Sequence, residues 1–137
     1  MGAWYGVDFD GTLCTGTDWN IPGDEGKPIE NIVNKVKELI ANGNTVKVVT
    51  ARYHDGSKSI NHVKRWCLKY IGKELEVTAS KDYEMIALYD DRAIQVQPDT
   101  GVIIEEELNK ALEEIKRLER IIENYEDNAL ERDTLGE

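Results

Sequence analysis

Apolar positions along this chain alternate between two periods, and that alternation sets the fold class before any single residue is considered. Ala3 to Asp8 is a short run rich in aromatic and β-branched residues, the kind that fills a buried strand. From Pro28 the period changes, with Ile29, Ile32, Val33, Val36, Leu39 and Ile40 recurring at helical spacing. Proline opens that helix where its missing N–H costs nothing, and Asn42-Gly43-Asn44 closes it. Thr45 to Thr50 reads as a second strand. Ser57 to Ile71 reads as a helix carrying Ile60, Val63, Trp66, Cys67 and Tyr70 on one side. Leu75 to Thr78 and Met85 to Tyr89 give a third and a fourth strand, and Trp4 and Trp66 fall at core positions. Ile94 to Val96 and Val102 to Ile104 predict one or two further short strands around the turn Pro98-Asp99-Thr100-Gly101. Strands alternating with helices predict an α/β fold built on a parallel sheet.

The last segment, Glu105 to about Asp127, predicts a long charged helix. Leu108, Ala111, Ile115, Leu118, Ile122 and Tyr125 make an apolar stripe at alternating three- and four-residue steps. That stripe fits either packing on the sheet or a homodimer contact through a short coiled coil. The organisation expected is an α/β domain over residues 1–104, an amphipathic helix over 105–128 and a flexible tail over 129–137.

A chain of 137 residues buries roughly two-thirds of its unfolded surface, enough for a real core. The formal charge of −10 repels phosphodiester backbones and acidic membranes, which argues against a general nucleic-acid binder. Cys14 and Cys67 have neither CxxC spacing nor a dense framework around them, so disulfide or zinc scaffolding is not expected. No apolar run approaches the roughly 18 residues that cross a bilayer. A reducing, cytoplasmic setting is the expectation.

Chemistry concentrates in the acids. Asp8 and Asp10 lie two residues apart at the end of the first strand, so they project from the same face, and Gly11 then lets the chain turn. Like charges held that close suit a metal site, a nucleophile paired with a proton carrier, or both. In a parallel sheet the C-terminal strand ends share one edge, where ligands bind. That edge gathers Asp8 and Asp10, Thr50 and Arg52, and Asp90 and Asp91. Magnesium, a hard cation that prefers carboxylate and water oxygens, is the natural counter-charge.

The segments DFDGTL (8–13), VVTAR (48–52), Lys81 and YDDRAI (89–94) occur in the order of motifs one to four of the haloacid dehalogenase (HAD) superfamily of phosphohydrolases, which this chain resembles from Tyr5 to Val96. The resemblance implies a three-layer, Rossmann-like parallel sheet flanked by helices. By the same resemblance Asp8 is the nucleophile that becomes an aspartyl phosphate, and Asp10 is the acid and base that serves the leaving oxygen and then water. Thr50 binds a phosphoryl oxygen with Ala51 and Arg52 beside it, and Lys81 neutralises the phosphate. The resemblance implies that Mg2+ is held by Asp8, the backbone carbonyl of Asp10, and the Asp90–Asp91 pair, in which Asp91 aligns best with the direct ligand and Asp90 with the neighbour that orients water or pairs with Lys81. Members that act on carbon–halogen bonds lack an aspartate at the position of Asp10, so its presence favours phosphate chemistry.

Only 39 residues separate Asp10 from Thr50 and 30 separate Thr50 from Lys81, too few for an inserted cap domain. The chain is therefore similar to compact, capless members such as polynucleotide phosphatase domains. With Arg52, Lys58, Lys64, Arg65 and Lys69 as the main basic cluster, a phosphorylated small molecule such as a sugar phosphate or nucleotide ranks ahead of a nucleic-acid end. A non-catalytic metal-binding or regulatory role is the reading from another class. Trp19, Tyr53, His54 and Arg92 flank the expected cleft and could contact a leaving group, although such residues more often only pack. His62 faces no predicted acid.

Overall fold

A computed structural model describes residues 2–16 and 25–136; Trp19 and most of the loop after Thr15 lie outside them. The chain forms two compact units that divide after Ala93. The first contains strand β1 (Trp4–Val7), helix α1 (Glu30–Ala41), strand β2 (Thr45–Val49), a 3-10 turn (Ala51–Asp55), helix α2 (Ser57–Tyr70), strand β3 (Glu76–Thr78) and strand β4 (Met85–Tyr89). The second contains one long helix, α3 (Ile104–Leu135).

The four strands form one all-parallel sheet in the order β3-β2-β1-β4. β1 takes an interior position because it has no charged side chain and because Gly6 admits both neighbours. A Cβ there would stand 3.0 Å from Leu88 Cδ1 and 3.0 Å from Val49 Cγ2. Alternation divides the sheet cleanly. Val7 with Val46 and Val48 points to one face, where it meets Val33, Val36 and Leu39 of α1 and Val63, Trp66 and Cys67 of α2 in a single apolar core. Trp4 and Lys47 belong to the other face, where the ammonium stands 4.6 Å above the indole and the indole N–H donates to Asp82 over 2.8 Å.

Succession along the chain steps from β1 to β2 to β3 in one direction, then crosses to the far side of β1 for β4. The order reverses between β1 and β4, and at such a point the connections diverge and leave a crevice above the strand ends. Two backbone bonds fix that rim: the Asp8 N–H donates to the Tyr89 carbonyl over 2.8 Å, and the Thr50 N–H to the Thr78 carbonyl over 2.9 Å.

Two expectations change. Ile94–Val96 and Val102–Ile104 do not form strands; they meet only at one antiparallel bridge, Val96 to Ile103, closed by a turn with Asp99 at φ 64° and Gly101 at φ 75°. Ile94 and Val96 are at least half exposed, so no buried face rewards extending the pair. Residues 129–135 are not a frayed tail but continue α3. No glycine or proline interrupts them before Gly136, and Thr134 Oγ1 donates to the Leu130 carbonyl over 2.9 Å. No helix among the described residues is long and apolar enough to cross a membrane.

Phe9, between the two leading acids, anchors the sheet end to the core. Its side chain is fully buried with its ring edge-on to Trp66 at 5.1 Å. Its carbonyl accepts the N–H groups of Thr12, Leu13 and Cys14. Phe9→Ala should lower the unfolding free energy by about 3–5 kcal/mol, read from the urea midpoint. A loss below about 1 kcal/mol would contradict this placement.

Candidate functional site

The site is built by the turn that follows β1. Phe9 dips into the core, so Asp8 and Asp10 project at the rim on either side of it. Gly11 turns the chain at φ 83°, a left-handed conformation that a side chain resists, and the space its Cβ would fill is taken by Asp91, whose Oδ2 would stand 2.6 Å away. Glycine is thus required twice at this position. The turn also brings the buried Thr12 hydroxyl between two acids: it lies 3.3 Å from Asp8 Oδ2 and 3.2 Å from Asp91 Oδ1, and accepts the Asp91 N–H over 3.0 Å. Thr12 is a structural member of the site that sequence spacing alone did not single out. Its only advance signal is its place four residues after Asp8 in a glycine turn.

Carboxylate oxygens of Asp8, Asp90 and Asp91 all lie within 4.8 Å of one another. Asp90 is oriented by the Arg92 N–H, which donates to its Oδ1 over 2.7 Å. Such crowding acts on protonation. The Asp8 carboxyl is pushed up to about 6, first by its burial, then by its hydrogen bond with Asp91 and by the charge of Asp90. Asp91 moves the opposite way, lowered chiefly by the hydrogen bond it receives from Asp8 and also by the one from Thr12. Below about pH 6 the pair therefore holds one proton, carried by Asp8 and shared toward Asp91. These three acids could each offer an oxygen to a divalent cation, whose charge would replace that proton.

Asp10 stands apart from this trio because Arg52 holds it. The guanidinium donates from Nε to Asp10 Oδ2 over 2.6 Å and from Nη2 to Oδ1 over 2.7 Å, a two-point fork that fixes the carboxylate plane. Arg52 reaches Asp10 because Thr50 caps the 3-10 turn, its Oγ1 accepting the Arg52 N–H over 3.2 Å. Thr50 itself is buried. The rim encloses a cavity of about 500 Å3 lined by Asp8, Asp10, Val49, Thr50, Ala51, His54, Ala79, Asp90 and Arg92. That volume suits a small ligand.

Most of the residues expected at the cleft meet there: Asp8, Asp10, Thr50, Ala51, Arg52, Asp90 and Asp91, with His54 and Arg92 on the wall. Lys81 does not line the cavity. It is exposed in the segment between β3 and β4. Tyr53 is exposed and also off the cavity wall, and Trp19 lies outside the described residues. His62 lies beside Glu25, Arg65, Trp66 and Lys69 at a separate depression. Both cysteines are buried, which pushes their thiols up to about 12 and leaves them poor nucleophiles. Comparison with protein-family models, with curated proteins and with solved structures found no match to this chain.

The raised Asp8 carboxyl makes a signed prediction for the metal-free protein. Its folded value near 6 exceeds the ordinary 3.8, so the folded state holds the extra proton between those values. The resulting stabilisation is complete below about pH 4 and is lost as pH rises through 6. In EDTA, the melting temperature measured by calorimetry should contain a fall across about pH 4 to 6 that Asp8→Asn removes. An unchanged profile in that variant would show that Asp8 titrates normally.

Proposed function

We propose that this chain is a Mg2+-dependent phosphatase of the HAD type, hydrolysing a phosphate monoester through an aspartyl phosphate on Asp8. The observation that carries the reading is the convergence of Asp8, Asp90 and Asp91 within 4.8 Å beside Asp10, above the point where strand order reverses. Burial first, then the neighbouring carboxylates, raise the proton affinity of Asp8, and a hard divalent ion with oxygen preference would relieve that repulsion. Asp8, Asp90 and Asp91, with the Asp10 carbonyl, would hold Mg2+, which when bound counters the charge of the transferring phosphoryl group.

The chemistry then falls to the chain's own groups. The Asp8 carboxylate attacks phosphorus, forming an O–P bond as the ester oxygen leaves. Asp10, protonated and with one oxygen released from the Arg52 fork when substrate binds, gives that oxygen its proton and later takes one from water; the hydroxide so formed bonds to phosphorus as the Asp8–phosphorus bond breaks, releasing inorganic phosphate and restoring both aspartates. Arg52 serves Asp10 as a positioning residue, since its fork sets the direction of the carboxylate. The Thr50 hydroxyl accepts one N–H and keeps its own hydrogen to donate to a phosphoryl oxygen. Arg92 on the cavity wall is the cation placed to neutralise the phosphate, a task expected of Lys81, which lies off that wall. The cavity volume and the charge of −10 favour a small phosphorylated metabolite, such as a sugar phosphate or nucleotide, over a polynucleotide end.

Hydrolysis of p-nitrophenyl phosphate tests this directly. The unaltered chain with Mg2+ should turn over, EDTA should abolish the rate, and Asp8→Asn should lower kcat at least ~1,000-fold with circular dichroism unchanged. Full activity in EDTA, or in Asp8→Asn, would refute the proposal.

A further inference from the structure

The long helix α3 presents a seam whose layout has a symmetry of its own. Leu108, Ile115, Ile122 and Ala129 occupy one core position of a seven-residue repeat, and Ile104, Ala111, Leu118 and Tyr125 the other. The repeat is unbroken for nearly four heptads, and its large side chains are exposed, from 39% at Ile104 to 72% at Tyr125. A strict period of 3.5 drifts around a straight 3.6-residue helix, so this seam follows a supercoiled helical partner better than a flat surface.

From the order of side chains in the seam we infer that α3 pairs with α3 of a second copy of this chain, antiparallel, about a twofold axis midway between Lys116 and Arg117. End-for-end rotation about that point sets Ile115 against Leu118, Leu108 against Tyr125, Ile122 against Ala111, and Ala129 against Ile104. All four layers fall in register under one operation, and each contact has its mirror, which is the signature of an isologous interface. Volume also favours this orientation. A parallel pair would stack Ala111 on Ala111, Ala129 on Ala129 and Tyr125 on Tyr125, two layers too thin and one too full, whereas the antiparallel pair sets each alanine against an isoleucine and the tyrosine against a leucine.

The flanks support the same occupant. Leu112 and Ile121 widen the apolar strip on opposite sides of the axis, both about half exposed. Glu107 and Glu114, which border the seam, are each neutralised within the helix, by Lys110 at 3.1 Å and by Arg117 at 2.6 Å. Covering the exposed seam would remove on the order of 600 Å2 from each copy, about 1,200 Å2 in all, the lower bound for a stable association. Acidic side chains still outnumber basic ones along α3, so screening by salt strengthens the dimer.

Sedimentation equilibrium of the full chain at about 100 μM in low and high salt tests the pairing. The expected species has twice the chain mass of 15.6 kDa, more populated in high salt, and Leu118→Glu reduces it to the single mass with helix content unchanged. Orientation is read by oxidising Ile115→Cys and Leu118→Cys chains, separately and mixed. The native thiols are buried, and the unaltered chain gives the background. Cross-linking chiefly between the two variants supports the antiparallel seam. A single-mass species under all salts, or equal cross-linking of each variant with itself, overturns the inference. So does an unaltered chain already at single mass whose Leu118→Glu variant melts earlier, because that places the seam against its own chain.

Discussion

The Asp8 N–H and the Tyr89 carbonyl lie 2.8 Å apart, and through that bond the ends of β1 and β4 become neighbours. Everything distinctive about the cleft follows from this adjacency. Asp8 continues one strand, Asp90 and Asp91 continue the other, and no intervening strand can separate them. The backbone imposes a like-charge cluster that the side chains alone would avoid. With the burial of Asp8, the cluster pushes that carboxyl up to about 6, and the cost is offset by apolar burial immediately beneath. Phe9, Leu13 and Cys14 are all fully buried in the turn itself, each large side chain contributing about 1.5–3 kcal/mol on removal from water.

Arginine and threonine organise what the strands bring together. Thr12 bridges Asp8 and Asp91 with one hydroxyl, tying the β1 turn to the segment after β4. Arg52 claims Asp10 and so separates the four acids into a trio open to a cation and a single carboxylate held by a guanidinium. The division gives chemically similar residues different tasks without different side chains. Because Thr50 caps the turn that carries Arg52, the end of β2 controls the orientation of a residue from the end of β1.

Sequence pattern located the regular elements because their periods are strong. Met85 to Tyr89 is read and observed with the same bounds, and the other strands and first two helices agree to within about two residues, as expected for cap positions. The convergence of acids was legible too, since parallel strands place every C-terminal end on one rim. What escaped the pattern has no period. The 3-10 turn at Ala51–Asp55 depends on a threonine cap, and the Asp10–Arg52 fork joins residues 42 apart. Lys81 sits in an irregular segment where spacing carries no direction. The continuation of α3 to Leu135 was missed because polar composition resembles a tail, although residues with good helix propensity need no buried face to extend an existing helix.

In the proposed function, the carboxylate pushed up at the β1–β4 junction is the one that bonds to phosphorus. Quenching a reaction with Mg2+ and p-nitrophenyl phosphate in mid-turnover, then reducing with borohydride, converts an aspartyl phosphate to homoserine that peptide mass spectrometry can locate. That change is expected at Asp8 alone. Turnover that leaves Asp8 unreduced, or that marks Asp10, Asp90 or Asp91 instead, would contradict it.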